Sequence, residues 1–128
     1  MTKLEDPSIY LSGEFAEKNN VTEIIPLDEG AYLDKTFLDK KTGKEETKRL
    51  FEWKVQCNDT EKSIKTHTPN ATSIKILMDL CSGDTKNLIG KRIPVIRSYS
   101  AGNWILYVLP TFTKERLLEL NTVPTTTS

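Results

Sequence analysis

The chain has one histidine and two cysteines among its 128 residues. Two cysteines make no disulfide framework, and with a single His they make no usual zinc site. Cys57 and Cys81 therefore read as reduced core residues in an intracellular setting. No apolar run approaches the roughly 18 residues a membrane-spanning helix needs, so no membrane partner is expected. The opening stretch, MTKLEDPSIYLSGEF, lacks the basic-then-apolar order of a secretory signal. Without such a signal, the Asn-x-Thr triplets at Asn20, Asn58 and Asn70 read as chance matches rather than glycosylation sites. Catalytic signatures are missing too: there is no Gly-rich phosphate loop, no HExxH, no GxSxG and no Cys–His pair in context. The carboxylates lie in loops and in the first thirty residues, not clustered where they would hold a catalytic metal. The expectation is a protein that is not an enzyme and uses no cofactor and no metal.

Net charge is also lacking, at zero, but the charges are unevenly placed. Residues 1–30 carry 2 Lys/Arg against 7 Asp/Glu, and residues 31–110 carry 14 against 9. An acidic leader therefore precedes a basic body. The length suits one domain. Its expected parts are an acidic, weakly structured leader over 1–20, a folded body over 21–112, and a short helix with a disordered polar tail over 113–128. Within the leader, Ile9, Tyr10, Leu11 and Phe15 can pack a short segment onto the body.

The body reads mainly as strands. Val21 to Leu27 is a short strand whose Pro26 places its end at an edge. In Ala31 to Leu38, Tyr32, Asp34, Thr36 and Leu38 share one face, while Leu33, Lys35 and Phe37 share the other. Asp39 to Lys48 reads as a charged hairpin loop. Arg49 to Cys57 has the cleanest period of two, with Phe51, Trp53, Val55 and Cys57 pointing one way. A further strand spans 61–68. Asn70, Thr72 or Ser73 then caps a helix whose Ile74, Leu77, Leu80 and Cys81 recur at helical spacing. Ser82-Gly83 stops it. Asp84-Thr85 caps one more turn, which Gly90 ends. Strands over 91–99 and 103–110 follow, joined by a loop at 98–103, and Pro94 argues for an edge or a bulge.

The order is thus strand, strand, strand, helix, strand, strand. Short twisted strands leave two exposed edges in an open sheet, and closing into a small barrel removes them. A helix between the third and fourth strands can plug one end. The fold expected is mainly β: a small five-stranded OB-like barrel with one helix between strands 3 and 4. A flat antiparallel sheet with one packed helix is the alternative.

The stretch Pro69-Asn70-Ala71-Thr72-Ser73, with Gly83-Asp84-Thr85 and Ile89-Gly90-Lys91, resembles the short OB-fold single-strand nucleic-acid-binding proteins of archaea, their viruses and phages. The likeness covers roughly residues 24–112. It implies binding of single-stranded DNA, or of RNA, in a groove across strands two and three between two hairpin loops. Such binding needs flat side chains for bases and cations for phosphates. The candidate residues are Lys41, Lys44, Lys48 and Arg49 around the first loop, Trp53 and Lys54 on strand two, and Lys65 and His67 on strand three. Arg97, Tyr99, Trp104 and Tyr107 complete the set around the second loop. Trp53 is barrel core if the Phe51–Cys57 face points inward, and a stacking platform if the other face does. A protein-interaction or virion-associated module on the same barrel is the alternative function. A homodimer through an edge strand, either the Pro94 strand or 21–27, is a further expected partner.

Overall fold

A computed structural model describes residues 9–122. The polar tail expected over Pro124–Ser128 and the first eight residues of the leader lie outside the described residues. The architecture is mainly β: a six-stranded antiparallel sheet with three α-helices. In chain order they are α1 (Gly13–Lys18), β1 (Glu23–Pro26), β2 (Ala31–Leu38), β3 (Glu45–Cys57), β4 (Ile64–His67), α2 (Ala71–Cys81), β5 (Ile93–Ser100), β6 (Asn103–Val108) and α3 (Lys114–Asn121). A 3-10 turn at Thr85–Leu88 links α2 to β5, with Asp84 as its cap. Among the described residues the strand count is six rather than five, and the sheet does not close.

β3 is the axis of the sheet. β1 and β2 both run antiparallel to it, β1 against Val55–Cys57 and β2 against Glu45–Glu52. Between them, the four residues 27–30 face only Trp53 and Lys54. β1 and β2 therefore behave as one strand bent by a bulge. Asp28 ties the bulge down, its carboxylate accepting from the Gly30 and Lys54 amides at 3.0 and 3.3 Å. Gly30 takes φ +71°, and a Cβ there would lie 2.6 Å from the Glu52 carbonyl oxygen, so the bend requires glycine.

The rest of the sheet is built outward from this strand. β5 pairs with β1, β6 pairs with β5, and β4 lines part of β3. Both strands expected at an edge are interior. β1 sits between β3 and β5, and β5 between β1 and β6. Their prolines are tolerated because each falls where the ladder needs no donor. β5 pairs only with Glu23 and Ile24, so Pro26 lies past the end of that ladder. Pro94 contributes its carbonyl, which accepts from Leu109 at 3.0 Å.

The core is where the inward faces of β1, β3, β5 and β6 meet α2. Ile24, Trp53, Val55, Ile93 and Val108 are almost wholly buried there. Each contributes about 1.5–3 kcal/mol by leaving water. Of the three candidate caps of helix α2, Asn70 is the one used, its side chain accepting from the Ser73 amide at 2.9 Å. Two side chains at this end fasten it to β6. Asn70 donates to the Leu106 carbonyl, and the buried Ser73 hydroxyl accepts from the Val108 amide. Ser82 takes the left-handed conformation that ends the helix, followed by Gly83.

No pairing joins β4 to β6 among the described residues, and residues 10–18 lie between them. Tyr10 bridges Thr66 of β4 in parallel sense, and the Leu11 amide donates to the Thr66 carbonyl at 2.8 Å. Gly13 lies against the Trp104–Ile105 peptide of β6. Arg97 of β5 donates to the Ala16 carbonyl at 3.0 Å and pairs with Glu17 at 3.4 Å. Leu11 and Ala16 are buried. Helix α1 thus forms inside the stretch expected to be weakly structured, because long-range contacts fix it where local propensity does not. A Cβ added at Gly13 would sit 2.2 Å from the Trp104 carbonyl oxygen. Gly13→Ala is expected to lower stability by about 1–3 kcal/mol in urea unfolding. A change within error would mean that α1 does not dock on β6 this closely.

Candidate nucleic-acid interface

The β2–β3 ribbon is the most exposed part of the sheet, with only Lys35 of β2 half-buried. Its turn is shorter than the expected loop, because β3 already starts at Glu45. Asp39 builds the turn: its carboxylate accepts from the Lys41 amide at 2.8 Å, and its carbonyl from Gly43 at 2.7 Å. Lys41 and Lys44 lie at this tip, exposed, while Lys48 and Arg49 lie on the strand.

Directly opposed residues of an antiparallel pair share a face. One face of the ribbon therefore carries Leu33 with Leu50, Lys35 with Lys48, and Phe37 with Glu46. By the same period it continues along β3 through Glu52 to Lys54, which lies opposite Thr66 of β4. At its root, Ile9, Tyr10, Leu33, Glu52, Lys54 and Thr66 border an open depression of about 540 Å³. Lys35 forms an ion pair with Glu52 and points its ammonium toward the Tyr10 hydroxyl at 3.4 Å. The Glu52 contact holds the Lys35 ammonium above its ordinary pKa, against the opposing pull of partial burial. Thr68 donates to the same carboxylate at 3.2 Å. Glu52, an acidic intrusion on a basic face, is thus neutralised locally.

The opposite face of the ribbon carries Tyr32 with Phe51 and Asp34 with Arg49. The Arg49 guanidinium lies 5.2 Å from the Tyr32 ring centre, a cation–π distance. Arg49 is therefore turned away from Lys48 and Lys54. Tyr32, Phe51, Ile74, Leu77 and Met78 line an apolar cavity of about 320 Å³ between this face and α2.

The second hairpin, β5–β6, turns at Ala101-Gly102, both with positive φ. Tyr99 and Trp104 oppose one another beside the turn, with ring centres 5.2 Å apart. Tyr99 is mostly exposed and Trp104 half-buried. Tyr107 is half-buried on the other face, opposite Ile96. This hairpin leaves β1 from the end opposite to the β2–β3 ribbon, since β5 runs antiparallel to β1 and continues beyond Glu23.

Besides Arg49 and Tyr107, four sequence candidates are taken up inside the fold. Trp53 and His67 are buried, neighbours across β3 and β4, with nearly parallel rings 6.3 Å apart. The Trp53 indole donates to His67 Nδ1 at 2.9 Å, and burial pushes the His67 pKa down to about 4. Neither ring is open to solvent: the Phe51–Cys57 face is the core face, the first of the two readings for Trp53, and His67 is interior rather than on an exposed strand position. Arg97 is committed to α1, as above. Lys65 is half-buried, its ammonium 4.5 Å from the centre of the Phe15 ring of α1. Lys41, Lys44, Lys48 and Lys54 remain on one ribbon, and Tyr99 and Trp104 on the other hairpin.

The structure adds Tyr10, Leu33, Lys35 and Phe37 to the basic face. The shared parity of Leu33, Lys35 and Phe37 was visible in the sequence, but the pairing of Tyr10 with β4 had no local signal. Among the described residues no group of three His, Cys, Asp or Glu is placed to hold a metal ion, and no helix is long and apolar enough to cross a membrane. No family model matches the chain, nor does any curated protein or solved structure.

Proposed function

We propose that the chain binds single-stranded DNA without catalysis and largely independently of sequence. The observation that carries this is the ribbon face where exposed Leu33 and Phe37 alternate with Lys35 and Lys48 and run on to Lys54. Apolar and aromatic groups there meet bases, and Lys48, Lys54 and a loop lysine meet phosphates, Lys35 being held by Glu52. Tyr99 and Trp104 offer a second stacking surface on the other hairpin. Base–aromatic stacking supplies about 1–3 kcal/mol per base. We read the fold as an opened OB-like barrel: bent β1–β2, then β3, β4, α2, β5 and β6, with residues 10–18 in place of the missing β4–β6 ladder. The binding face is then the one such barrels use.

The test is a titration of a fluorescein-labelled thymidine oligonucleotide at two salt concentrations. Three phosphate contacts, from Lys48, Lys54 and one loop lysine, predict a log–log salt slope of about −2. No binding at low salt rejects the proposal. Affinity unchanged by salt rejects the phosphate contacts. The same titration with a uridine oligonucleotide ranks RNA against DNA. The apolar cavity between Tyr32, Phe51 and Met78 favours a second reading, a protein-interaction module on the same barrel. That reading gains if the oligonucleotide does not bind.

A further inference from the structure

We propose that two copies of this chain pair through the unoccupied edge of β2, forming a two-fold symmetric dimer with one continuous sheet. β2 pairs with β3 alone, and among the described residues no other strand takes its second edge. The margins at β4 and β6 are covered, by Tyr10 with Leu11 and by α1. The second edge of β3 is open only ahead of Trp53, where pairing with β4 begins, and that stretch carries Glu45, Glu46, Lys48, Arg49 and Glu52, the charges that discourage strand addition. β2 carries little of what protects an edge beyond Asp34 and Lys35. It has no proline and no bulge, and its register with β3 is unbroken over eight residues. Of its two charges, Lys35 pairs with Glu52, and Asp34 stands opposite Arg49 in the register. Its apolar side chains are uncovered: Tyr32 is 53%, Leu33 45%, Phe37 45% and Leu38 65% exposed.

The pattern is self-complementary. Antiparallel pairing of β2 with a second β2 about a two-fold axis keeps like faces together only in registers that oppose residues of equal parity. Centring the axis on Lys35 sets Leu33 against Phe37 of the second copy and Tyr32 against Leu38 of the second copy, each twice by symmetry. Asp34 then meets Thr36. The two Lys35 ammonium groups approach one another, each held by its own Glu52. Centring on Asp34 instead opposes two carboxylates and sets Leu33 against Lys35. Centring on Thr36 sets Phe37 against Lys35 and Leu38 against Asp34. Of these, the Lys35 register alone matches each exposed large apolar residue of the strand, Tyr32, Leu33, Phe37 and Leu38, with another, and cross-strand apolar pairs are the favourable unit of sheet pairing. The two-fold closes on itself, so the product is a dimer and not a fibre.

Sedimentation velocity on the full chain without nucleic acid, between roughly 5 and 500 µM, covers the range of a small transient interface. The expected result is a concentration-dependent shift from 14.5 kDa toward twice that mass. Backbone amides of residues 31–38 should gain hydrogen-exchange protection over the same range, and those of β4 and β6 should not. Phe37→Glu and Leu38→Lys, both exposed in the single chain, should each weaken dimerisation about ten-fold or more. A monomer throughout overturns the proposal. So does a dimer whose new protection lies outside β2, a test that needs no variant to fold.

Discussion

Replacing Trp53 by alanine is expected to cost about 3–5 kcal/mol of folding free energy, the range for deleting a large buried aromatic. Domains of this size hold only about 5–15 kcal/mol in total, so the variant should unfold at much lower urea. The reason is local and specific. Trp53 is almost wholly buried, its ring 5.3 Å edge-on from Phe51, and its indole N–H satisfies His67. Alanine leaves a cavity and a buried ring nitrogen without its donor. Trp53→Phe keeps much of the volume and should lose less, mainly the hydrogen bond, about 1–3 kcal/mol. Trp104→Ala serves as the control, because Trp104 is half-exposed beside a turn and its loss should be small. Equal urea midpoints for Trp53→Ala and Trp104→Ala would contradict the assignment of Trp53 to the core.

Acid should destabilise the fold well before ordinary carboxylates titrate. His67 is pushed by burial from 6.5 down to about 4 in the folded chain. Its Nδ1 accepts the Trp53 hydrogen bond, so protonation there breaks a buried contact. The unfolded chain takes up a proton as pH falls through about 6.5, whereas the folded chain resists until about 4. Stability is therefore full above pH 6.5 and is lost progressively between 6.5 and 4, by about 3 kcal/mol in all. Asp59 contributes in a lower window. Burial alone would raise its carboxyl, but hydrogen bonds from the Ser63 hydroxyl and amide outweigh this and hold it below 3.8. Its stabilisation is lost only as pH falls further. Urea unfolding at a series of pH values separates the two. His67→Gln, which keeps an acceptor and does not titrate, should flatten the upper window and leave the lower one. A wild-type curve that is flat between pH 6.5 and 4.5 would contradict the buried neutral His67.

Much of the fold was legible where the signal was local. The period of two over Arg49–Cys57, the Asn70 cap and the Ser82-Gly83 stop each follow from neighbouring residues, and each element appears where those residues place it. The first loop was overextended because Glu45–Lys48 are charged. They extend β3 all the same, since an exposed ribbon strand needs no apolar face. What could not be read were contacts between distant segments. The docking of residues 10–18 depends on Thr66 and Trp104, far along the chain; apolar Ile9, Tyr10, Leu11 and Phe15 marked a segment able to pack on the body, but not its partners. Edge assignment failed for a related reason. A proline removes one donor, but whether that donor is needed depends on which strand arrives beside it. For the candidate site, Lys41, Lys44 and Lys48 lie exposed on the first hairpin, where the loop pattern put them. The apolar Phe51–Cys57 face already marked Trp53 as a core residue, whereas the burial of His67 depended on the register between β3 and β4, which no local pattern sets. Pairing Trp53 with His67 buried two of the flat rings the sequence offered for stacking.

The proposed binding face makes a residue-level claim that can be read directly. In amide correlation spectra of the isotope-labelled chain, titrated with a thymidine oligonucleotide at low salt, shifts should concentrate on Leu33, Lys35, Phe37, Lys48 and Lys54. A second, smaller set is expected at Tyr99 and Trp104, while α2 and α3 stay unmoved. Saturable shifts on that ribbon face are the result the account predicts. Shifts confined to the cavity between Tyr32 and Met78, or no shifts at all, would contradict it.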